Sequence, residues 1–255
     1  MAMVDDPFAK LEGPLAGTTR MRMEVAENRP LTPAMQQVVL SAPELAGFTY
    51  RAGQDFMLMV AVDGDRPVRR RYTIRDIDTV HGLLTLGIVR HDGGPGERWV
   101  ATVRPGDHIE GIGPRGKIFP AEGVAWHLFA GDFSALPAYF AMAGSLPAGQ
   151  RATVILEVPG PADEQELKAA ADVELAWLHS DGRPPGDPAA LTAALAEVTL
   201  PPRAAGHAYL AGEARLVLAL RETLAARGLP ADQVSPKAYW GLGRANAAHG
   251  EPARD

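Results

Sequence analysis

Residues 68–75 read Val-Arg-Arg-Arg-Tyr-Thr-Ile-Arg, and this stretch decides the fold of the first half of the chain. Its residue types alternate as in a β-strand, which places Arg70, Tyr72 and Ile74 on one face. Arginine binds phosphate oxygens with two parallel hydrogen bonds, and a tyrosine ring offers a stacking surface. The strand therefore suits a ligand that is part phosphate and part flat ring, although a basic edge strand that prevents aggregation would look the same.

Further strand candidates lie on both sides of this stretch. They are Met21–Glu27, Met35–Leu40, Phe56–Val62, Val68–Asp76, Leu83–Arg90 and a last strand with its closing turn in Gly106–Gly116. Asn28-Arg29-Pro30 and Asp63-Gly64-Asp65 have the composition of turns. Short strands at intervals of roughly ten residues, with Gly and Pro between them, predict a six-stranded antiparallel β-barrel.

A glycine-rich segment, His91 to Val100, interrupts the strand pattern. Its Gly94-Pro95-Gly96 stands directly before a predicted short helix, Glu97–Val103. Free backbone amides and the positive end of that helix could hold a pyrophosphate, although an ordinary loop would have a similar sequence.

Near residue 122 the pattern changes to strands that alternate with helices. The predicted strands are Trp126–Ala130, Ala152–Val158, Val173–Leu178, Ala208–Ala211 and Lys237–Trp240, and the predicted helices are Leu136–Leu146, Glu164–Ala171, Ala189–Val198 and Ala214–Arg227. This alternation predicts an α/β domain with a parallel sheet, whose ligands bind at the carboxyl ends of the strands. We therefore expect a barrel domain over residues 19–121 and an α/β domain over residues 122–255. Because no Gly-x-Gly-x-x-Gly follows the first of these strands, a nicotinamide nucleotide would meet this sheet only transiently.

Composition narrows the function. The net charge of −6 argues against a nucleic-acid partner, but residues 66–115 hold nine arginines and six acids, a local charge of +3. That excess indicates either an anionic ligand or a solvated basic face.

Without any cysteine, the chain has no disulfide, thiolate nucleophile or cysteine-ligated cluster, so redox chemistry would need an organic cofactor or a separate partner. The seven histidines are scattered and predict no metal site. With neither a long apolar run nor a signal peptide, we expect a cytoplasmic protein without membrane insertion.

Five motifs, in one order along the chain, resemble those of the siderophore-interacting proteins, which are FAD-dependent ferric-siderophore reductases with a ferredoxin reductase-like fold. They are Arg70-Arg71-Tyr72-Thr73 for Arg-x-Tyr-Thr, His91 with Gly94-Pro95-Gly96-Glu97-Arg98-Trp99 for His…Gly-Pro-Ala-x-x-Trp, Gly131-Asp132-Phe133-Ser134-Ala135-Leu136-Pro137-Ala138 for Gly-Asp-Glu-Thr-Ala-Leu-Pro-Ala, then Ala211-Gly212-Glu213, and Tyr239-Trp240 with Gly243. The resemblance extends from about residue 20 to the C-terminus.

The resemblance implies roles for these residues. Arg70 would contact the FAD phosphates, Tyr72 the ring face and Thr73 the N5 edge, with no certain catalytic side chain because the flavin carries the chemistry. The other implied cofactor positions are Ile88, Val89, His91, Gly94, Pro95, Gly96, Glu97, Arg98, Trp99 and Trp240. In a regular strand Thr73 points away from Tyr72, so contact at N5 requires the strand to end there or the backbone N–H to make it. Trp240 could instead pack in the core.

The second domain would meet the electron donor, which the resemblance gives as NADPH, NADH or a ferredoxin, while the substrate is a ferric siderophore. Gly131, Asp132 and Ser134 are the candidate donor-side residues, although Asp132 and Ser134 could simply cap the helix near Leu136. Four residues of this half depart from the family pattern, namely Phe133, Ser134, Leu210 and Gly241. A general flavin-dependent reductase and a non-catalytic FAD- or siderophore-binding module therefore stand as alternatives.

Overall fold

Six antiparallel strands close into a β-barrel in the N-terminal half of the computed structural model, which describes residues 17–63, 66–91, 93–200 and 206–243. The strands are β1 Thr19–Thr32, β2 Met35–Ser41, β3 Asp55–Asp63, β4 Arg66–Asp78, β5 Leu83–Val89 and β6 His108–Arg115. Their order around the barrel is β1-β2-β5-β4-β3-β6. The predicted antiparallel barrel is therefore confirmed, and Gly64 and Asp65 of the predicted turn lie outside the described residues.

Alternating side chains fill the barrel. Met21, Met23 and Val25 of β1 are buried and their neighbours along the strand are exposed, which is the pattern of a strand with one face in the core. The helix α1, Pro95–Thr102, contributes Val100 to the same core cluster. The helix begins two residues before the predicted Glu97, since proline is well suited to the first helical turn.

The turn predicted at Asn28-Arg29-Pro30 was wrong. β1 continues to Thr32 and turns at residues 33–34, and Thr32 pairs with Met35 across the hairpin. The side chain of Asn28 does not stabilise a turn, because its Nδ2 donates to the carbonyls of Val100 and Val103, both at 2.9 Å. A residue type that favours turns is here used to hold the end of α1 against the barrel.

The second half is an α/β unit with a five-stranded parallel sheet of order β11-β10-β7-β8-β9. Its strands are β7 Trp126–Asp132, β8 Arg151–Val158, β9 Asp172–His179, β10 Gly206–Glu213 and β11 Val234–Trp240, and its helices are α2 Leu136–Gly144, α3 Ala189–Glu197 and α4 Ala214–Ala226. Every predicted strand of this half is present. The chain as a whole divides into two compact units, residues 1–117 and 118–255.

The helix predicted over Glu164–Ala171 was wrong, since this connection between β8 and β9 holds only a 3-10 turn at Pro161–Asp163. The segment has residues of high helix propensity but a single large apolar side chain, Leu167, so it has no apolar stripe to bury against the sheet. Glu164 instead contacts the ring of His179 at 2.7 Å.

Among the described residues, no helix is long and apolar enough to span a membrane.

Candidate functional site

Arg70 and Tyr72 lie on one face of β4, as the alternation predicts, and that face meets the first turn of α1. A β-carbon built on Gly96 would stand 2.7 Å from the hydroxyl oxygen of Tyr72 and 3.4 Å from Cγ of Arg70. A side chain at position 96 would require the Tyr72 hydroxyl group to shift, so glycine lets the helix lie this close to the strand with the tyrosine in place. The two predicted phosphate-binding elements, the arginine strand and the glycine-rich segment, are therefore in direct contact.

The N-terminus of α1 lies at the glycines of this segment. Gly94 is its N-cap, with φ 91°, and no side chain of the described residues caps the helix. The Arg98 amide donates to the Gly94 carbonyl at 3.1 Å, so the amides of Gly96 and Glu97 precede the first hydrogen bond of the helix. Uncapped amides at the positive end of a helix suit a phosphate group. Together with Arg70 beside Gly96, these residues fit the pyrophosphate of FAD.

Tyr72 has a largely apolar environment. Its ring stacks on that of Trp99 with centroids 6.2 Å apart and 26° between the planes. Burial raises the pKa of Tyr72 well above its ordinary value, against the opposing effect of the Arg70 guanidinium. The phenol therefore stays neutral at any physiological pH and can offer a flat surface and a hydroxyl group.

Glu97 holds the segment between β5 and α1. Its Oε1 accepts from Nε and Nη2 of Arg90 at 3.1 and 2.9 Å, and its Oε2 accepts from the His91 amide at 3.4 Å. The imidazole of His91 is exposed and lies beside Gly94, whose built β-carbon would be 3.5 Å from Cε1. Arg98 is exposed on α1. The carboxylate of Glu97 thus shapes the loop through bonds to its neighbours.

Three other predicted cofactor residues differ in what they can present. Ile88 is 3% exposed and belongs to the barrel core, so only its backbone could face a ligand, while Val89 is half-buried at the end of β5. Thr73 pairs with Asp55 of β3, and β4 runs on without a break to Asp78. The strand does not end at Thr73, which leaves its backbone N–H as the group for an N5 contact.

The face of β4 opposite Tyr72 carries a buried ion pair that the sequence analysis did not identify. Nε of Arg71 donates to Oδ1 of Asp55 at 2.9 Å and Nη2 donates to Oδ2, while Asp55 is 3% exposed. Arg115 and Arg69 lie near this pair, and burial together with the charge of Arg71 lowers the pKa of Arg115. The sequence feature that could have predicted this pair is the single acid, Asp55, at the start of the apolar strand Phe56–Val62. A carboxylate buried there needs a cationic partner.

At the carboxyl edge of the parallel sheet, Asp132 accepts four hydrogen bonds. Oδ1 accepts from the amide and hydroxyl of Ser134, and Oδ2 accepts from the Glu213 amide at 2.7 Å and from Nε1 of Trp240 at 3.0 Å. Burial raises the pKa of Asp132 although these bonds oppose the shift. Asp132 caps the 3-10 turn Phe133–Ala135 that leads into α2.

The residues around Asp132 are tightly packed. A β-carbon on Gly131 would stand 2.1 Å from the Ala211 carbonyl oxygen, so β7 and β10 touch at this point. Phe133 and Leu210, two of the departures from the family pattern, are buried at 7% and 0% exposure. These two side chains are part of the buried interior of the α/β unit. Ser134 and Gly241, the other two departures, are half-buried.

Comparison with known families gives two matches that together cover most of the chain. Residues 57–118 match the family described as Siderophore-interacting FAD-binding domain, and residues 124–243 match the family described as Siderophore-interacting protein. The first match contains Arg70, Tyr72 and Gly96, and the second contains Asp132 and Trp240. The unit that presents the phosphate-binding geometry is thus also the unit that matches an FAD-binding domain.

Two characterised relatives are reductases. The ferric vibriobactin reductase of Vibrio cholerae is 30% identical, over 73% of this chain and 69% of the relative. The NADPH-dependent ferric-chelate reductase of Escherichia coli is 25% identical, over 82% of this chain and 88% of the relative.

Two solved structures have folds similar to that of this chain. A siderophore utilization protein from T. fusca is 32% identical with a TM-score of 0.80, covering 91% of this chain and 96% of that one. The ferredoxin-NADP+ reductase of Plasmodium falciparum, at 12% identity and a TM-score of 0.69 over 84% of this chain and 94% of that one, shows that the fold is ferredoxin reductase-like.

Proposed function

The chain belongs to the siderophore-interacting protein family, and from this premise we propose that it is an FAD-dependent reductase that converts the ferric iron of a siderophore to ferrous iron. We assign FAD binding to the barrel and the meeting with the electron donor to the α/β unit. NADPH is the favoured donor, because the reductase of Escherichia coli that resembles this chain is NADPH-dependent. NADH and a ferredoxin are the alternatives.

The observation that carries the proposal is the contact between Gly96 and the Arg70–Tyr72 face of β4. It brings a guanidinium, uncapped helix amides and an aromatic ring to one place, which are the groups that phosphates and a flat ring require. Arg70 would hold the phosphates with its fork of donors, and the amides of Gly96 and Glu97 would bind their remaining oxygens. Tyr72, kept neutral and fixed against Trp99, would bind the ring without adding a charge to it.

When bound, FAD supplies the conversion of an electron pair from a nicotinamide into single electrons for iron. The chain's own contribution is to hold and orient its ligands, and no side chain has to act as a general base. Reduction helps to release the metal, because oxygen ligands of a siderophore bind Fe²⁺ less tightly than the more highly charged Fe³⁺.

Arg69 and Arg71 on the opposite face of β4, together with Arg115 of β6, support an anionic substrate. Burial and the positive charges of Arg71 and Arg69 lower the pKa of Arg115, and Asp55 is the acid that pairs with Arg71. The local field is therefore positive, and it would raise the concentration of an anionic ferric chelate at the barrel.

An anaerobic titration tests the proposal. The purified protein should be yellow from bound FAD, lose that colour when NADPH is added, and recover it when a ferric siderophore follows, with ferrous iron captured by a colorimetric chelator. The same siderophore loaded with gallium(III), which has the same charge but is not reduced, is the control and should not restore the colour. If reduced protein returns no electrons to any ferric chelate, the reductase proposal is wrong and a binding module is favoured.

A further inference from the structure

Asp132 reaches across a neighbouring strand to hold Trp240. In the sheet, β10 lies between β7, which ends at Asp132, and β11, which ends at Trp240. The carboxylate crosses β10 at Gly212, where φ is 139° and a β-carbon would stand only 2.5 Å from Oδ2 of Asp132. Any side chain at position 212 would occupy the place of the carboxylate.

A bulge in β11 directs Trp240 toward this carboxylate. Gly212 pairs with Ala238 and Glu213 pairs with Trp240, so Tyr239 is an extra residue on β11. A bulge changes the face to which the following side chain points. The indole Nε1 of Trp240 consequently donates to Oδ2 of Asp132 at 3.0 Å.

A second carboxylate fixes the backbone just after Trp240. Glu213 is 2% exposed, and its Oε1 accepts from the Leu242 amide at 3.1 Å while its Oε2 caps α4 through the Arg215 and Leu216 amides. The end of β11 is thus held at two places, by Asp132 at the Trp240 side chain and by Glu213 at the Leu242 backbone.

We propose that Asp132 is a positioning residue that sets the orientation of the Trp240 indole, and that it is not a ligand for the donor's ribose. Each of its oxygens already accepts two hydrogen bonds from the protein, so a ribose hydroxyl would have to displace a protein donor. The consequence for catalysis rests on the proposed function and on the cofactor role that the family resemblance implies for Trp240.

The first test measures the hydrogen bond itself. In protein labelled with ¹⁵N at tryptophan, the Trp240 indole N–H resonance is assigned by its absence in Trp240→Phe. In Asp132→Asn, we expect this resonance to move upfield and its exchange with solvent to become faster, because the amide replaces one acceptor with a donor. Ser134→Ala is the matched control, since it removes a different partner of the same carboxylate and should leave the Trp240 resonance in place. An unchanged resonance in Asp132→Asn would overturn the proposal.

If Asp132→Asn does not fold, the wild-type protein gives the answer. The Trp240 indole N–H should then exchange more slowly than that of Trp99, whose ring is half-buried on the barrel. Equal exchange of the two would count against a stable bond to Asp132.

The second test separates positioning from donor binding. We expect Asp132→Asn and Trp240→Phe each to lower kcat for ferric-chelate reduction roughly tenfold to a hundredfold, and the double variant to be no worse than either single one. The alternative is that Asp132→Asn raises KM for NADPH, and does so equally in the wild-type and the Trp240→Phe background. In that case Asp132 binds the donor and the proposal fails. Should the wild-type protein reduce no ferric chelate, the proposed function fails, while the resonance test still decides the positioning role.

Discussion

The hydroxyl oxygen of Tyr72 lies 2.7 Å from the point where a β-carbon on Gly96 would stand. This closeness means that the first turn of α1 rests directly on the face of β4 that also carries Arg70. A phosphate held by the helix amides would therefore be within the region that the Arg70 guanidinium can reach, and the ring of Tyr72 would continue the same surface. The two motifs meet at Gly96, where the helix and the strand come into direct contact.

Gly96→Val should weaken FAD binding without unfolding the protein. The added side chain requires either the Tyr72 ring or the start of α1 to move, and such overpacking costs about 1–3 kcal/mol. If that strain is relieved when FAD leaves, the dissociation constant for FAD rises about tenfold or more. Flavin fluorescence during titration of the apoprotein measures it.

Gly160→Val is the control for this substitution, because a β-carbon at position 160 meets nothing within 4 Å and φ there is −174°. It should leave the FAD dissociation constant unchanged. Equal FAD affinity in Gly96→Val and the wild type would mean that the cofactor does not use the contact between α1 and β4.

Arg70→Ala should lose FAD more readily than Arg69→Ala. Arg70 lies on the Tyr72 face beside Gly96, whereas Arg69 pairs with Met59 and points to the other face. A charge-assisted hydrogen bond contributes about 1.5–3 kcal/mol, so the FAD dissociation constant should rise roughly tenfold to a hundredfold in Arg70→Ala. The FAD content after gel filtration compares the two variants, and the reverse order would show that the cofactor meets the opposite face of β4.

Local pattern was sufficient to predict the barrel, the parallel sheet and the shared face of Arg70 and Tyr72, because alternation is a property of neighbouring residues. It could not predict the contact of Tyr72 with Gly96 or of Arg71 with Asp55, since these depend on how distant segments fold together. The high helix propensity of residues 164–171 led to the prediction of a helix that the protein does not form, because the segment has no apolar stripe to bury. Of the four bonds to Asp132, the two from Ser134 are local, whereas those from Glu213 of β10 and Trp240 of β11 come from strands far away in the sequence.

Arg71→Met should destabilise the barrel. The substitution leaves the buried carboxylate of Asp55 without this ion pair, and breaking a buried pair costs about 3 kcal/mol or more. Urea unfolding followed by circular dichroism measures the loss. Arg20→Met is the matched control, because the pair of Arg20 with Glu110 is much more exposed and should contribute less than about 1 kcal/mol. Equal losses in the two variants would contradict a structural role for the pair of Arg71 with Asp55.

Salt should slow the reduction of an anionic ferric chelate more than that of a neutral one. The positive field of Arg69, Arg71 and Arg115 acts on charged ligands, and at about 0.15 M salt it is screened beyond roughly 8 Å. Initial rates at low substrate concentration, compared between low salt and about 0.5 M salt, measure the effect. Arg115→Gln should reduce the difference between the two chelates. Equal salt effects on both chelates would show that the arginine excess does not steer the substrate.

Tyr209 should make the α/β unit sensitive to alkaline pH. Its hydroxyl accepts from the Ala121 amide at 2.7 Å, and burial raises the pKa of Tyr209 to about 12, against the opposing effect of that hydrogen bond. Below pH 10 the phenol is neutral in both the folded and the unfolded chain, so the group does not change the pH dependence of stability. Between pH 10 and about 12 only the unfolded chain loses the proton, and the free energy of unfolding should fall by about 2–3 kcal/mol from this residue. Unfolding free energies of the wild type and Tyr209→Phe, measured from pH 9 upward, isolate this contribution because the other tyrosines are common to both. If the two proteins lose stability in parallel over this range, the pKa of Tyr209 is not raised.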